Sequence, residues 1–284
     1  MIHLFALLSL LLCGVCYTGF QNSSHFRNTG SRRSLLLLVF GGALLLRLLL
    51  AYTTHGFSND IACFAAWADR IFTLGPGQFY SAEMFTDYPP GFMYVLYLIG
   101  ALRSLLQIPY YSDLHILLLK LPAILCDIAC GFLLYREAVK RLHFSDLQGI
   151  FAASAYLFQP AVILNSSCWG QVDSVYTLMI ILMCLFLMKG NLLPAYAVYG
   201  LGVLLKPQML IFTPVLLAGI WDHVFLQDFS WRKFFYNLCG GLVVICGMLL
   251  LCAPFGLTAA ISQYTSTLGS YEYAAINAYN SGDY

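Results

Sequence analysis

Asp60 closes the run Gly56-Phe57-Ser58-Asn59-Asp60, and Ile61, Phe64, Ala65, Ala68 and Phe72 follow it at helical spacing. This spacing predicts an amphipathic helix lying on a membrane surface, with Ser58 or Asn59 as its cap and Asp60 in its first turn. Two roles are open to such a carboxylate. It complements the helix dipole, or it is held partly desolvated at a lipid boundary, where it serves as a general base. Further on, Asp87-Tyr88-Pro89-Pro90-Gly91 forces a turn, because two prolines cannot continue one helix but suit the first turn of the next. The turn accounts for the prolines and the glycine and leaves Asp87 and Tyr88 without a structural reason.

The segment Asn165-Ser166-Ser167-Cys168-Trp169-Gly170-Gln171-Val172-Asp173-Ser174 breaks two apolar runs with a cluster of hydrogen-bonding groups. Trp169, Gln171 and Asp173 each need a partner or water at the edge of a span, which favours function over a plain loop. Asp173 is the rival of Asp60 for the role of base. Lys206-Pro207-Gln208 interrupts another apolar stretch and leaves two helices too short for a full span, a form tolerated where helices line a polar cavity. Lys120 and Asp127 stand seven residues apart, two turns along one helix face, and Arg47 is set among apolar residues one helix earlier. Ionisable groups inside a span face a cavity or each other. Two turns is long for direct contact between Lys120 and Asp127, and cations near the outer leaflet would suit a phosphate.

Composition dictates the elements that carry these residues. Of 284 residues 60% are hydrophobic and 10% charged, against about 25% charged in an ordinary soluble domain, which excludes a soluble enzyme. Fourteen Lys+Arg against thirteen Asp+Glu, with no basic run, leave no electrostatic footprint for nucleic acid. Apolar runs near 1–18, 35–54, 89–107, 114–136, 147–164, 173–188, 192–205, 208–221 and 234–252 predict helices, so the fold class is an all-α polytopic transmembrane bundle. The first run has neither a basic start nor a cleavage motif and reads as a retained span. Most of the ten cysteines sit in or beside apolar runs and read as small buried hydrophobes.

Orientation follows from the basic residues. Arg27, Arg32 and Arg33 precede the run at 35–54, which makes it a cytoplasm-to-outside helix and places the stretch from Gly56 to Pro90 outside. If the run at 89–107 lies along the outer leaflet rather than crossing, nine basic residues (those three with Arg136, Lys140, Arg141, Lys189, Arg232 and Lys233) face the cytoplasm against two, Arg70 and Arg103, outside. That run is therefore read as interfacial or re-entrant, within a long first external loop. Asp60, Asp87, Asp173 and Lys206-Pro207-Gln208 then share the outer face.

Six motifs in order carry a family resemblance: Asp60 after its span, Asp87-Tyr88-Pro89-Pro90-Gly91, Lys120 to Asp127, Trp169-Gly170-Gln171-Val172-Asp173-Ser174, Lys206-Pro207-Gln208, and Asn277-Ala278-Tyr279-Asn280. Over about residues 35–284 the chain resembles the PIG-V-related bacterial mannosyltransferase-like proteins of the GT-C superfamily. Dolichyl-phosphate-glucose glucosyltransferases are similar in the Asp-Tyr-Pro-Pro turn, the cation-to-Asp spacing and the Lys-Gln step. The resemblance implies an integral membrane glycosyltransferase, mannosyltransferase-like, that moves a sugar from a polyprenyl-phosphate donor to a glycan or glycolipid acceptor on the outer, extracytoplasmic face, with inversion. It maps the general base to Asp60. Together with the cations read above from the residues themselves, Arg47, Lys120 and Lys206, it places donor-phosphate or substrate binding at Asp87, Tyr88, Asp127, Trp169, Gln171, Gln208 and Asn277. It calls for no cofactor and leaves a divalent metal open. Residues 1–34 depart from the pattern as an extra span with a basic linker, and the stop at Tyr284 leaves open whether the chain is a C-terminal fragment. The competing class is a transporter or lipid flippase using the same buried charges as a translocation path. Against it, the polar groups gather on one face and no inverted half-repeat is visible.

Overall fold

The computed structural model describes residues 29–80, 85–227 and 229–269, and these form helices joined by short turns, with no strand among them. The expected span at 1–18 and Asn277 lie outside the described residues. Helix α1 is Thr29–Thr53, α2 Ser58–Leu74, α3 Pro90–Leu105, α4 Asp113–Lys140, α5 Asp146–Leu157 and α6 Pro160–Ile163, which runs on as a π-helical turn over Leu164–Trp169. Helix α7 is Asp173–Met188, α8 Leu192–Leu205, α9 Thr213–Trp221, α10 Trp231–Cys252 and α11 Leu257–Gly269.

Local chemistry sets the boundaries. Ser112 caps α4 by accepting from the His115 N–H, with Asp113 in the first turn and Lys140 in the last, each matching the dipole. Ser145 and Gln148 close a reciprocal capping box at the start of α5. Proline at 160 ends α5, and the chain restarts bent by 52°. After α8, Pro207 opens a 3₁₀ turn, Pro207–Phe212, that leads into α9.

Among the described residues four helical stretches are long and apolar enough to cross a bilayer, Arg32–Thr53, Asp113–Lys140, Pro207–Leu226 and Trp231–Phe255, and the bent pair Asp146–Leu157 with Pro160–Trp169, counted as one span, makes a fifth. Large side chains of α10 such as Val243 and Leu250 are mostly exposed, as lipid-facing positions require. The protein is an all-α membrane bundle. Helix α4 is central, packed on α1, α5 and α7, while α8 joins α7 to α10.

The apolar helices α3, α7 and α8 are short: α3 and α7 have 16 residues and α8 has 14, so they reach only about 21–24 Å at 1.5 Å per residue. Helix α2 corrects the sequence expectation. Ile61, Phe64, Ala65, Trp67, Ala68 and Ile71 are buried against Phe92, Met93, Leu96 and Ile99 of α3, so its apolar face lies on protein rather than on lipid. The two helices meet at Gly100, where a Cβ would stand 2.4 Å from the Ala68 carbonyl, and Asp69 pairs with Arg103. Because α2 and α3 form one packed unit, we expect residues 56–113 to stay together on one side of the membrane. Single cysteines near positions 80 and 112 should both label from outside with an impermeant thiol reagent, and labelling of 112 from the cytoplasm alone would contradict this.

Candidate functional site

The loop before α2 and the loop after the π turn clasp each other. The Phe57 N–H donates to the Trp169 carbonyl at 2.8 Å, and the Phe57 and Trp169 rings lie 5.0 Å apart. Gly56 (φ +78°) and Gly170 (φ +88°) permit this approach: a Cβ on Gly56 would stand 2.7 Å from the Trp169 carbonyl, and one on Gly170 would stand 2.6 Å from Ile61. The clasp brings the first turn of α2 to the segment Trp169–Asp173, 109 residues further along.

Asp60 receives two hydrogen bonds there, from the Trp169 indole Nε1 at 2.8 Å and the Gln171 amide Nε2 at 2.6 Å. Both end on Oδ2, and no hydrogen bond from the described residues reaches Oδ1. Gln171 in turn accepts from the Tyr88 hydroxyl at 3.3 Å. The ammonium of Lys206 lies 5.7 Å from the ring centres of both Tyr88 and Tyr176 and is paired with Asp173, whose other oxygen accepts from Asn165 Nδ2 at 2.9 Å. Of these, Asp60, Gln171, Tyr88 and Lys206 border a cavity of about 530 Å³, and Trp169, Asp173, Asn165 and Tyr176 stand behind that lining. Its polar lining is Asp60, Asp87, Gln171, Lys206 and Gln208, and its apolar lining includes Phe64, Trp67, Phe85, Leu210 and Ile211. Burial, with the carboxylates of Asp87 and Asp60 near it, pushes the Cys63 thiol in this cavity above its ordinary value.

The other expected cations do not border the cavity. Lys120 is fully buried and donates to the carbonyls of Ala51, Thr54 and Ser167 at 3.2, 2.7 and 2.9 Å and to Thr54 Oγ1 at 3.1 Å. It thus caps the end of α1, where unpaired carbonyls favour a cation. Asp127, two turns from Lys120 on the same helix, pairs not with it but with Arg47 at 3.1 Å, both side chains fully buried, in keeping with a spacing too long for direct contact. Arg47 also donates to the carbonyls of Leu157 and Ala43. Asp127 accepts in addition from Tyr156, Ser166 and Ser174 at 3.3, 2.6 and 2.5 Å. This cluster stitches α1, α4, α5, the π turn and α7 behind the cavity. Lys206, which has no carboxylate close by in sequence, finds one in Asp173 across 33 residues.

Sequence reasoning missed Cys63, Trp67 and Tyr176. A signal for the first two existed: Asp60, Cys63, Phe64 and Trp67 follow the i, i+3, i+4, i+7 pattern of one helix face. Tyr176 stands one turn beyond Asp173. Among the described residues no group of three or more His, Cys, Asp or Glu is placed to hold a metal ion.

Fold and cavity together define a class: a polytopic helical membrane protein in which carboxylate, amide, indole and ammonium groups converge beside short, broken helices. Residues 85–282 match the profile of glycosyltransferase family 87. That is more than two thirds of the chain, and the protein belongs to this family; it is a membrane glycosyltransferase. The match takes in Asp87, Tyr88, Trp169, Gln171, Asp173 and Lys206 and begins after Asp60. No curated protein matches the chain significantly.

Proposed function

We propose that the protein transfers a hexose, mannose by the resemblance above, from a polyprenyl-phosphate donor to a hydroxyl of a glycan or glycolipid at the extracytoplasmic face, with Asp60 as general base. The carrying observation is that Asp60 and Lys206, a proton acceptor and a cation, share one cavity lined by both polar and apolar side chains. Asp60 Oδ1 takes the proton of the acceptor hydroxyl while the acceptor oxygen attacks the anomeric carbon. The phosphate leaves with the electron pair of the broken bond, and Lys206 neutralises its charge. A single displacement with one base inverts the anomeric centre. Trp169 and Gln171 hold the carboxylate in place, and the apolar lining suits the first isoprene units of the donor. In this reading the catalytic module begins at residue 35, within α1, and residues 1–34 are an appended span and linker. The transporter reading loses ground because Arg47, Lys120 and Asp127, the charges it would use, are held by protein partners on every side.

The test is a transfer assay on the purified chain with defined polyprenyl-phosphate sugars, reading which sugar moves and with which anomeric configuration. Within it, Lys206→Ala should raise the donor concentration needed about 10- to 100-fold, the value of a hydrogen bond to a charged group. Lys206→Arg should rescue only in part, since a planar guanidinium does not reproduce a compact ammonium. An unchanged donor dependence in a folded Lys206→Ala protein would mean that the lysine only extends its charge to the surface.

A further inference from the structure

Tyr88 borders the candidate cavity yet is only 8% exposed, held in a rigid mount. The residue before a proline is confined largely to extended backbone, and Pro89 and Pro90 follow it into the first turn of α3. Its carbonyl accepts from the Tyr80 hydroxyl at 3.0 Å, and its ring packs on those of Phe64, Trp67 and Phe92 with centres 5.6, 5.6 and 5.5 Å away. From this mount the hydroxyl donates to Gln171 Oε1 at 3.3 Å, and Gln171 Nε2 donates to Asp60 at 2.6 Å. We propose that Tyr88 is a positioning residue for the general base, acting through Gln171 rather than by touching substrate. The inference rests on the reading of Asp60 as the base, and it gives the tyrosine of the Asp-Tyr-Pro-Pro turn a task that the turn itself does not require.

Donor and acceptor chemistry fixes the order of these bonds. An ionised carboxylate only accepts, so of the two ends of the Gln171 amide only the N–H end serves Asp60. The carbonyl end then needs a donor, and the Tyr88 O–H supplies it. That pins the amide from both ends. The Gln171 backbone N–H is held as well, by the Asn165 carbonyl at 2.9 Å, so side-chain rotation is what the hydroxyl restrains. With the hydroxyl removed, the amide swings more freely, Oδ2 keeps the Trp169 indole as its steady donor, and Oδ1 spends less time aligned with the acceptor hydroxyl. Misalignment of a reacting group costs rate. The Tyr88 ring does something else. It lies 5.7 Å from the Lys206 ammonium, within the roughly 6 Å reach of a cation–π contact, and a phenylalanine ring would keep that contact. Tyr88→Phe therefore strips the hydroxyl and spares the surroundings of the donor-site cation.

Steady-state kinetics on the purified full chain test this, with the polyprenyl-phosphate sugar that supports turnover in the transfer assay as donor. Tyr88→Phe should lower kcat about three- to tenfold, the net worth of one neutral hydrogen bond, and leave the donor and acceptor KM unchanged. Gln171→Met, unbranched and without an amide, should lower kcat at least as far. In that background Tyr88→Phe should cost less than about twofold more, because the link it acts through is gone. A rise in either KM in Tyr88→Phe, or the same loss of kcat with and without Gln171, would show the hydroxyl touching substrate and overturn the positioning role. A parental kcat in Tyr88→Phe beside an impaired Asp60→Asn would overturn that role alone, whereas full activity in Asp60→Asn would defeat the assignment of the base on which it rests.

Discussion

Asp60→Asn is expected to lower turnover about 10²- to 10⁴-fold, the range typical of lost acid–base catalysis, while donor binding persists. The substitution is nearly isosteric, and its amide oxygen still accepts from Trp169 and Gln171, the two donors that now meet at Oδ2. What disappears is the ability to take a proton from the acceptor hydroxyl. Asp173→Asn makes the contrast. Its carboxylate is engaged by Lys206 and Asn165, so neutralising it should alter the donor dependence through Lys206 more than the maximal rate. Steady-state kinetics against donor and acceptor separate the two variants. Full activity in Asp60→Asn combined with a dead Asp173→Asn would reverse the assigned roles.

The helices of this protein were more legible in the sequence than the contacts between them. Hydropathy placed α7 and α8 at their observed limits, Asp173–Met188 and Leu192–Leu205, because Gly190 and Pro207 punctuate an otherwise apolar stretch. The interruption at Lys206 and the polar run from Asn165 to Ser174 pointed correctly to a meeting of polar groups. Pairing within that meeting was another matter. Lys120 and Asp127 share a helix face in sequence, yet each is claimed by a different neighbour: α1 carbonyls for Lys120, and Arg47, 80 residues away, for Asp127. Helix spacing reports which residues face the same way. It does not report which second helix faces them. The same gap hid the apolar lining of the cavity, since Trp67 and Phe64 look like ordinary core residues until Phe85 and Ile211 join them in that lining. Helix α2 illustrates the converse: its amphipathic pattern was real, but the same pattern serves for lipid and for protein, and α3 supplied the apolar partner.

The buried cluster behind the cavity yields the other large expected effect, on stability. Asp127 satisfies Arg47, Tyr156, Ser166 and Ser174 at once, and of these Arg47, Ser166 and Ser174 are buried, so removing the carboxylate leaves the guanidinium without its counter-charge away from solvent. Asp127→Leu should therefore cost about 3–5 kcal/mol, because it strands a guanidinium in a low-dielectric interior. It should appear as a large drop in the thermal unfolding midpoint of the detergent-solubilised protein. Arg47→Leu strands the carboxylate instead and should cost a similar amount. The double variant Arg47→Leu/Asp127→Leu leaves neither charge exposed to the interior. Its unfolding midpoint should recover most of the way to the parent, since a buried ion pair replaced by apolar side chains of similar volume is often neutral. Activity then separates support from chemistry. The cluster lies outside the cavity lining, so the recovered double variant should transfer sugar at close to the parent rate with an unchanged donor dependence. A double variant that is stable but cannot use the donor would place Arg47 among the phosphate-binding cations after all.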